Sequence, residues 1–265
     1  MSHVSADLTR LGSIRSGSLE VRLAQTLAEI EAAQRLRYDI FYREMGAKPT
    51  AAMEAELRDF DEYDTVCDHL LVIDHNLPED DAVVGTYRLI RREMAVRRGS
   101  FYSAAEFDLT RLIEYPGEIL ELGRACVAPA YRGRAITLLF RGISAYAARY
   151  NIEVMFGCAS LPGIDVSDMA LPLSYLHHFH PMPEHLRVRA QPDLYVEMNR
   201  IPKEAIDERE GIRSLPAMLK GYVRAGCCIG EGAVIDRQFG TTDVFIYFPL
   251  SGLDARYKSR FGLVK

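Results

Sequence analysis

No stretch of this sequence is apolar over anything near the ~20 residues that a membrane-spanning helix requires, which excludes an integral helical membrane protein. Cysteine is scarce and unpatterned. Cys67, Cys126, Cys158, Cys227 and Cys228 are odd in number, and none stand in a Cys-x-x-Cys spacing. Such a set supports neither a disulfide framework nor a structural zinc site, and it fits a reducing cytoplasm. Positive charge is not in excess. A net charge of −5 argues against a general nucleic-acid binder. Tryptophan is absent, and there is no internal repeat or low-complexity tract. Residues 1–18 lack the apolar core and cleavage site of a secretory signal and read as a disordered leader.

What is present is the composition of a soluble enzyme-sized chain: 265 residues, 48% hydrophobic and 26% charged, enough to bury a substantial core. Alternation predicts a strand over residues 19–24, and helical spacing predicts a helix over 26–44. Residues 47–64 read as a loop that ends acidic, with Asp59, Asp61, Glu62 and Asp64. Two apolar runs, 69–74 and 82–90, form a hairpin signal. An arm with short helical pieces follows over 94–111, then a strand over 118–127 and a helix over 133–150. Further on, strands are expected at 153–158, 186–190, 232–235 and 243–248, and helices at 165–179 and 203–211. Residues 214–226 are amphipathic, with Leu215, Met218, Leu219, Tyr222 and Val223 on one face. That face reads either as core or as a surface laid on a membrane.

The chemistry concentrates in Glu118-Ile-Leu-Glu-Leu-Gly-Arg-Ala-Cys-Val-Ala-Pro-Ala-Tyr-Arg-Gly-Arg-Ala135. A strand carries a carboxylate, Glu121, and a guanidinium, Arg124, and runs through Val127 into a turn that opens a helix. The N–H groups and positive dipole end of a helix N-terminus suit a phosphate. An amine cannot attack an acyl group while protonated, so acyl transfer needs a base, for which Glu121 is the candidate. The oxyanion that forms needs a donor, and a strand N–H near Val127 could serve. Pleating alone sets Glu121 and Arg124 on opposite faces, and Gly123 between them permits a bulge that re-aims them. Arg88, Arg91, Arg92, Arg97 and Arg98 crowd one segment, either as a solvated face or as a landing site for an acidic partner or an anionic membrane. His177, His178, His180 and His185 lack the pairing and carboxylate of a metal site, so no metal is expected.

The run Val127-x-Pro129-x-Tyr131-Arg132-Gly133-Arg134-Ala135 after a strand resembles the GNAT superfamily of N-acyltransferases. The resemblance implies an α/β fold with a mixed, mostly antiparallel central sheet flanked by helices. It also implies a donor phosphopantetheine bound at Arg132, Gly133, Arg134 and Ala135. Ala135 stands where the acetyl-CoA signature has glycine, which favours a phosphopantetheine arm on acyl carrier protein over a nucleotide-bearing donor. No separate cofactor is expected. The series Arg37-x-x-x-Phe41, Asp61-x-Tyr63-Asp64, Gly85-Thr-Tyr-Arg88 and Glu121-Leu-Gly-Arg124 is similar to the successive motifs of acyl-homoserine lactone synthases. By that likeness Arg37 and Phe41 line the donor arm, and Asp61, Asp64 and Arg88 shape the amine-substrate side. By the same likeness Glu121 and Arg124 form the reaction centre, with Val127 the candidate oxyanion position beside them.

Over nearly the whole chain after residue 18 the sequence resembles the bacterial, hemolysin-like ornithine N-alpha-acyltransferases, including Leu215-Pro-x-x-Leu-Lys-Gly-Tyr222 and the run 232–244. That resemblance implies transfer of a (3-hydroxy)fatty acyl group from acyl carrier protein to the alpha-amino group of L-ornithine, giving lyso-ornithine lipid. The alternatives are an acyl-homoserine lactone synthase-like or other amino-acid N-acyltransferase, and a membrane-active hemolysin-like protein. The expected organisation is a leader (1–18), a GNAT-like domain (19–190) and a C-terminal extension packed on it (191–265). A cytoplasmic location is expected, with peripheral contact at the inner membrane where a lipid product would leave.

Overall fold

The computed structural model describes residues 12–252. Their chain forms two compact units, one from residues up to 99 together with 122–152, the other from 100–121 together with 153 onward. In chain order the first unit contains β1 (Ile14–Ser16), β2 (Leu19–Leu23), α1 (Leu27–Tyr38), α2 (Ala51–Glu56), β3 (Asp68–Asp74), β4 (Val83–Arg91) and α3 (Arg92–Arg98). The second opens with β5 (Phe107–Asp108) and α4 (Thr110–Ile113). Strand β6 (Glu118–Val127) starts in the second unit and, from Leu122, belongs to the first, as does α5 (Arg132–Arg149). From β7 (Ile152–Pro162) the chain continues in the second unit with α6 (Ala170–Phe179), β8 (Arg189–Ala190), α7 (Glu208–Ser214), α8 (Ala217–Ala225), β9 (Cys228–Asp236) and β10 (Thr241–Pro249).

In the first unit the strands lie in the order β1-β2-β3-β4-β6, with β1–β2, β2–β3 and β3–β4 antiparallel. Period-two alternation gives this sheet two apolar faces. Leu71, Ile73 and Val83 pack with Ala32 and Ala33 of α1. Leu70 and Val21 face α5 so closely that a Cβ on Gly142 would stand 2.8 Å from Val21 Cγ2 and 3.0 Å from Leu70 Cδ2. Helix α1 begins where Thr26 Oγ1 accepts the Glu29 N–H at 3.2 Å, a standard N-cap. It then widens into a π-helical segment, Asp39–Glu44, within the span where one continuous helix is expected. Residues 47–64, expected as loop, contain α2, capped by Thr50, and a 3-10 turn, Glu62–Thr65. Ile14–Ser16 lie inside the expected leader but pair with β2, so strand structure starts earlier than residue 19; residues 1–11 of that leader lie outside the described residues.

The second unit orders its strands β7-β10-β9-β8-β5, with β8–β9 parallel and the rest antiparallel. β9 and β10, drawn from the segment 191–265, are therefore strands beside β7 in one sheet. One face of that sheet (Ala159, Leu161, Val244, Ile246) packs on Leu173 and Leu176 of α6 and on Leu219 and Val223 of α8. The other carries Phe156 and Phe245, met by Phe101 and Phe107 of the arm at ring-centroid distances of 5.0 and 5.5 Å. The amphipathic face of 214–226 is thus core: Leu215, Leu219 and Val223 are buried in it, and only Met218 stands half exposed. This corrects the membrane-contacting alternative, because the apolar stripe is already covered by α6, β9 and β10. Among the described residues no helix is long and apolar enough to cross a membrane. The architecture is the expected mixed, mostly antiparallel α/β fold.

Two glycines test these contacts. Gly142→Val should cost about 1–3 kcal/mol by overpacking α5 on the sheet, read from urea denaturation. Gly221→Ala, mid-α8 with nothing within 4 Å of the added Cβ, should gain about 0.5–1 kcal/mol. A neutral Gly142→Val would contradict the close helix–sheet approach.

Candidate active site

In the first unit six charged side chains converge, the guanidinium groups of Arg37, Arg88 and Arg124 and the carboxylates of Asp59, Asp61 and Asp64. Arg37 Nε donates to Asp59 Oδ2 and Arg37 Nη2 to Asp64 Oδ2, both at 2.7 Å, and Nη2 also reaches the Asp59 carbonyl at 2.7 Å. Arg88 Nη1 donates to Asp61 Oδ1 at 2.5 Å and lies 3.3 Å from Asp64 Oδ1. Arg124 stands 3.6 Å from Asp59 and 3.7 Å from Asp61, with its guanidinium 5.8 Å from the Phe41 ring centre. Tyr42 donates its hydroxyl to Asp59 Oδ1 at 2.8 Å. Local backbone structure sets these side chains. Asp61 caps the 3-10 turn by accepting the Tyr63 N–H at 2.9 Å, and Asp64 returns the bond from the Asp61 N–H at 3.2 Å. This reciprocal capping box fixes both carboxylates.

Burial decides what each member can do. Arg37, Arg88, Asp59 and Asp64 are enclosed, whereas the Asp61 side chain is 23% exposed. Burial alone would raise Asp59, but Arg124 and Arg37 outweigh it and hold its carboxyl below the ordinary value. Arg37 and Arg88 do the same for Asp64. His69, whose Nε2 is 3.0 Å from the Asp64 carbonyl, is pushed down to about 4, first by burial. Asp59 and Tyr42 escape a motif-based reading. Asp59 is visible in the sequence only as one acid of an acidic loop, and nothing marks which of those acids become buried.

Arg124 has φ +52°, a left-handed conformation unusual for a residue with a side chain. The irregularity anticipated at Gly123 therefore sits one residue later and turns the Arg124 side chain toward Asp59 and Asp61. Val127 packs where Gly85 of β4 leaves space, its Cγ2 only 3.3 Å from the position a Cβ would take. At the start of α5, Tyr131 donates its hydroxyl to Asp74 Oδ2 at 2.8 Å and pins the turn. No side chain caps this helix. Arg132 pairs with Glu44 and is half exposed, Arg134 is exposed, and Ala135 is fully buried. Of the arginine cluster, Arg88 is buried in the network. Arg91 lies over the Tyr150 ring at 3.9 Å and donates to the Tyr146 hydroxyl at 2.8 Å. Arg92, Arg97 and Arg98 of α3 carry the remaining charge, with Arg98 paired to Glu62.

In the second unit Glu121 is 1% exposed. Its carboxylate accepts the N–H groups of Tyr102 and Ser103, each at 2.7 Å, and the Ser103 hydroxyl. The donors are the first N–H groups of the 3-10 turn Tyr102–Ala105, the ones such a turn leaves without internal partners. Ser103 Oγ is also 3.4 Å from Cys158 Sγ, and Glu106 Oε2 is 3.3 Å from that sulfur. Cys126 is buried in the first unit, and burial pushes its thiol up to about 12. Of the histidines, His178 Nε2 lies 3.0 Å from the Ile201 carbonyl and His180 Nε2 3.2 Å from the Tyr175 hydroxyl, contacts that hold the helix end.

Residues 36–141 match the model of the acetyltransferase (GNAT) domain. The chain is 50% identical over 253 residues to an L-ornithine N(alpha)-acyltransferase of Brucella abortus (strain 2308), covering 94% of this chain and 90% of the relative. It is 46% identical to an L-ornithine N(alpha)-acyltransferase of Agrobacterium fabrum (strain C58 / ATCC 33970), covering 94% and 86%. It is 42% identical to one of Rhodobacter capsulatus, covering 91% and 93%.

The network sets a stability profile. Arg37→Met strands Asp59 and Asp64 and should cost about 3–5 kcal/mol. The His69 imidazole is harder to protonate in the fold than in the unfolded chain, so its contribution is whole above about 6.5 and is lost as pH falls toward about 4. The depressed Asp59 and Asp64 carboxyls lose theirs only in more acid solution. Urea midpoints should therefore fall from pH 7 to pH 4, and His69→Gln should flatten that fall. A pH-independent midpoint in the wild type would contradict it.

Proposed function

Because the chain belongs to the L-ornithine N(alpha)-acyltransferase family, we propose that it transfers a (3-hydroxy)fatty acyl group from acyl carrier protein to the alpha-amino group of L-ornithine. The observation that carries this reading is 50% identity across 94% of the chain. The chain is an N-acyltransferase. The acceptor nitrogen attacks the thioester carbonyl carbon. The C–N bond forms, the C–S bond breaks, and the pantetheine sulfur leaves with the second proton that the nitrogen loses as it becomes an amide. Before attack the ammonium gives up a proton, and Glu121 receives it, directly or through a water. The N–H groups of Tyr102 and Ser103 and the Ser103 hydroxyl hold its two oxygens in place.

Direct attack is preferred to an acyl-enzyme. A buried thiol raised to about 12, as at Cys126, supplies almost no thiolate at neutral pH. Asp61, the partly exposed carboxylate of the arginine–aspartate network, suits a cationic acceptor. Arg124 beside it suits the carboxylate of an amino acid or the carbonyl oxygen that gathers charge. The uncapped start of α5, with Arg132, Gly133 and Arg134, suits the phosphate of the donor arm. Arg92, Arg97 and Arg98 of α3 suit the acidic surface of a carrier protein.

Purified chain given 3-hydroxyacyl carrier protein and a panel of amines should yield N-acyl-ornithine by mass spectrometry, and Glu121→Gln should lower kcat by about 10²–10⁴-fold with the native circular dichroism spectrum retained. Product with another amine in preference to ornithine would overturn the acceptor. A fully active Glu121→Gln would assign Glu121 to anchoring the arm.

A further inference from the structure

Glu121, at 1% exposure, cannot exchange protons freely with bulk water, yet a base gains one proton in every turnover. The groups around it within the second unit supply a way out. The Ser103 hydroxyl bonds the Glu121 carboxylate, Cys158 Sγ lies 3.4 Å from that hydroxyl, and Glu106 Oε2 lies 3.3 Å beyond on the far side of the sulfur. Ser103 is 1% exposed, while Glu106 is only partly buried. The series runs from an enclosed carboxylate to one nearer solvent through two groups that each carry a transferable hydrogen and accept another.

We infer that Ser103, Cys158 and Glu106 form a relay that returns Glu121 to its ionised form after each acyl transfer. The inference rests on Glu121 receiving the amine proton. The step balances: protonated Glu121 gives its proton to Ser103 Oγ, the Ser103 hydrogen passes to Cys158 Sγ, and the Cys158 hydrogen passes to Glu106 Oε2. Glu121 ends ionised, serine and cysteine end as they began, and Glu106 ends protonated and releases its proton to water. None of the three touches substrate; they act through Glu121.

Two further observations fit. Cys158 is driven far toward the protonated thiol, first by burial and then by Glu106, so at rest the sulfur holds the hydrogen a relay needs and is no nucleophile. Glu106 sits with Asp236 and Asp243, one oxygen of each within 4.8 Å of the others. Asp243 is raised above the ordinary carboxyl value by burial and by Asp236. A crowd of like charges stabilises an arriving proton.

Pre-steady-state kinetics separate this role from a packing role. Cys158→Ala should keep the wild-type rate for the first turnover but run roughly tenfold slower in steady state, less than the ~10²–10⁴ expected for losing the base itself. It should therefore show a burst near one product per enzyme, with kcat/KM for both substrates unchanged, so that KM falls together with kcat. Cys158→Ser, which restores a hydrogen carrier, should abolish the burst and recover the steady rate. Glu106→Gln, which keeps the shape of the last member but cannot take up the proton, should show the same burst, and this holds whether or not the alanine variant folds. A wild-type steady rate in Cys158→Ala, equal loss in first and later turnovers, or a Glu106→Gln without the burst overturns the relay. If Glu121→Gln is fully active, the base assignment fails and the relay with it. If Glu121→Gln is inactive while Cys158→Ala is unaffected, the relay alone fails.

Discussion

The first unit depends on charge neutrality inside a largely enclosed space. Arg37 and Arg88 are long cationic side chains at 0% and 1% exposure, a burial that arginine tolerates only when paired. Each buried ion costs several kcal/mol to desolvate, so a lone buried arginine here would not survive. The cost is offset because Asp59, Asp61 and Asp64 oppose Arg37, Arg88 and Arg124, charge for charge, and because the hydrogen bonds are short and directed. The network joins parts of the chain that share no sequence proximity: α1, its π-helical continuation, the acidic turn, β4 and the end of β6. Removing one member leaves the others buried with an unmatched charge, so these elements are held as a set.

That constraint explains the conformation of Arg124. A left-handed residue in a strand stores strain, of order 1–3 kcal/mol, and the surroundings must hold it there. Asp59 and Asp61 on one side and the Phe41 ring on the other do so. The widening of α1 into a π-helix contributes to this. It keeps Ile40, Phe41 and Tyr42 all buried, and so brings an aromatic face to Arg124 and a hydroxyl to Asp59 from the same turn. Glu121, three residues earlier on the same strand, is fixed by a different device, the open end of a 3-10 turn. One strand thus carries two charged groups whose orientations are set by unrelated local structure.

Much of this was legible in the sequence. Apolar spacing marked α1, α5 and the β3–β4 hairpin, and the bounds of β6 coincide with the expected 118–127, because a period of 2 or 3.6 survives in the residue order. The acidic run hid α2, although Thr50 before Ala51-Ala52 is a cap in front of good helix formers; six residues are too few for a period to show. Nothing local tells that Arg37 and Arg88 point inward, since arginine is ordinarily a surface residue and its partners lie 22 to 27 residues from it. Ser103 is silent for the same reason: its value comes from Glu121, 18 residues away. Amphipathicity in α8 was read correctly as a face, but a face does not name what covers it, and here α6 and two strands do.

The choice of arginine over lysine follows from the geometry of Arg37. One guanidinium reaches the Asp59 carboxylate with Nε, and with Nη2 both the Asp59 carbonyl and the Asp64 carboxylate. Those acceptors lie in directions set by a planar fork, and a single ammonium cannot address them at once without leaving one buried oxygen short. A lysine there would conserve charge and lose the connection between the acidic turn and the residue preceding it. Since Asp59 and Asp61 are also what stand beside Arg124, the planarity of one fully buried side chain in α1 bears on the aim of another at the end of β6. This side of the unit is therefore specified by bond direction as much as by charge.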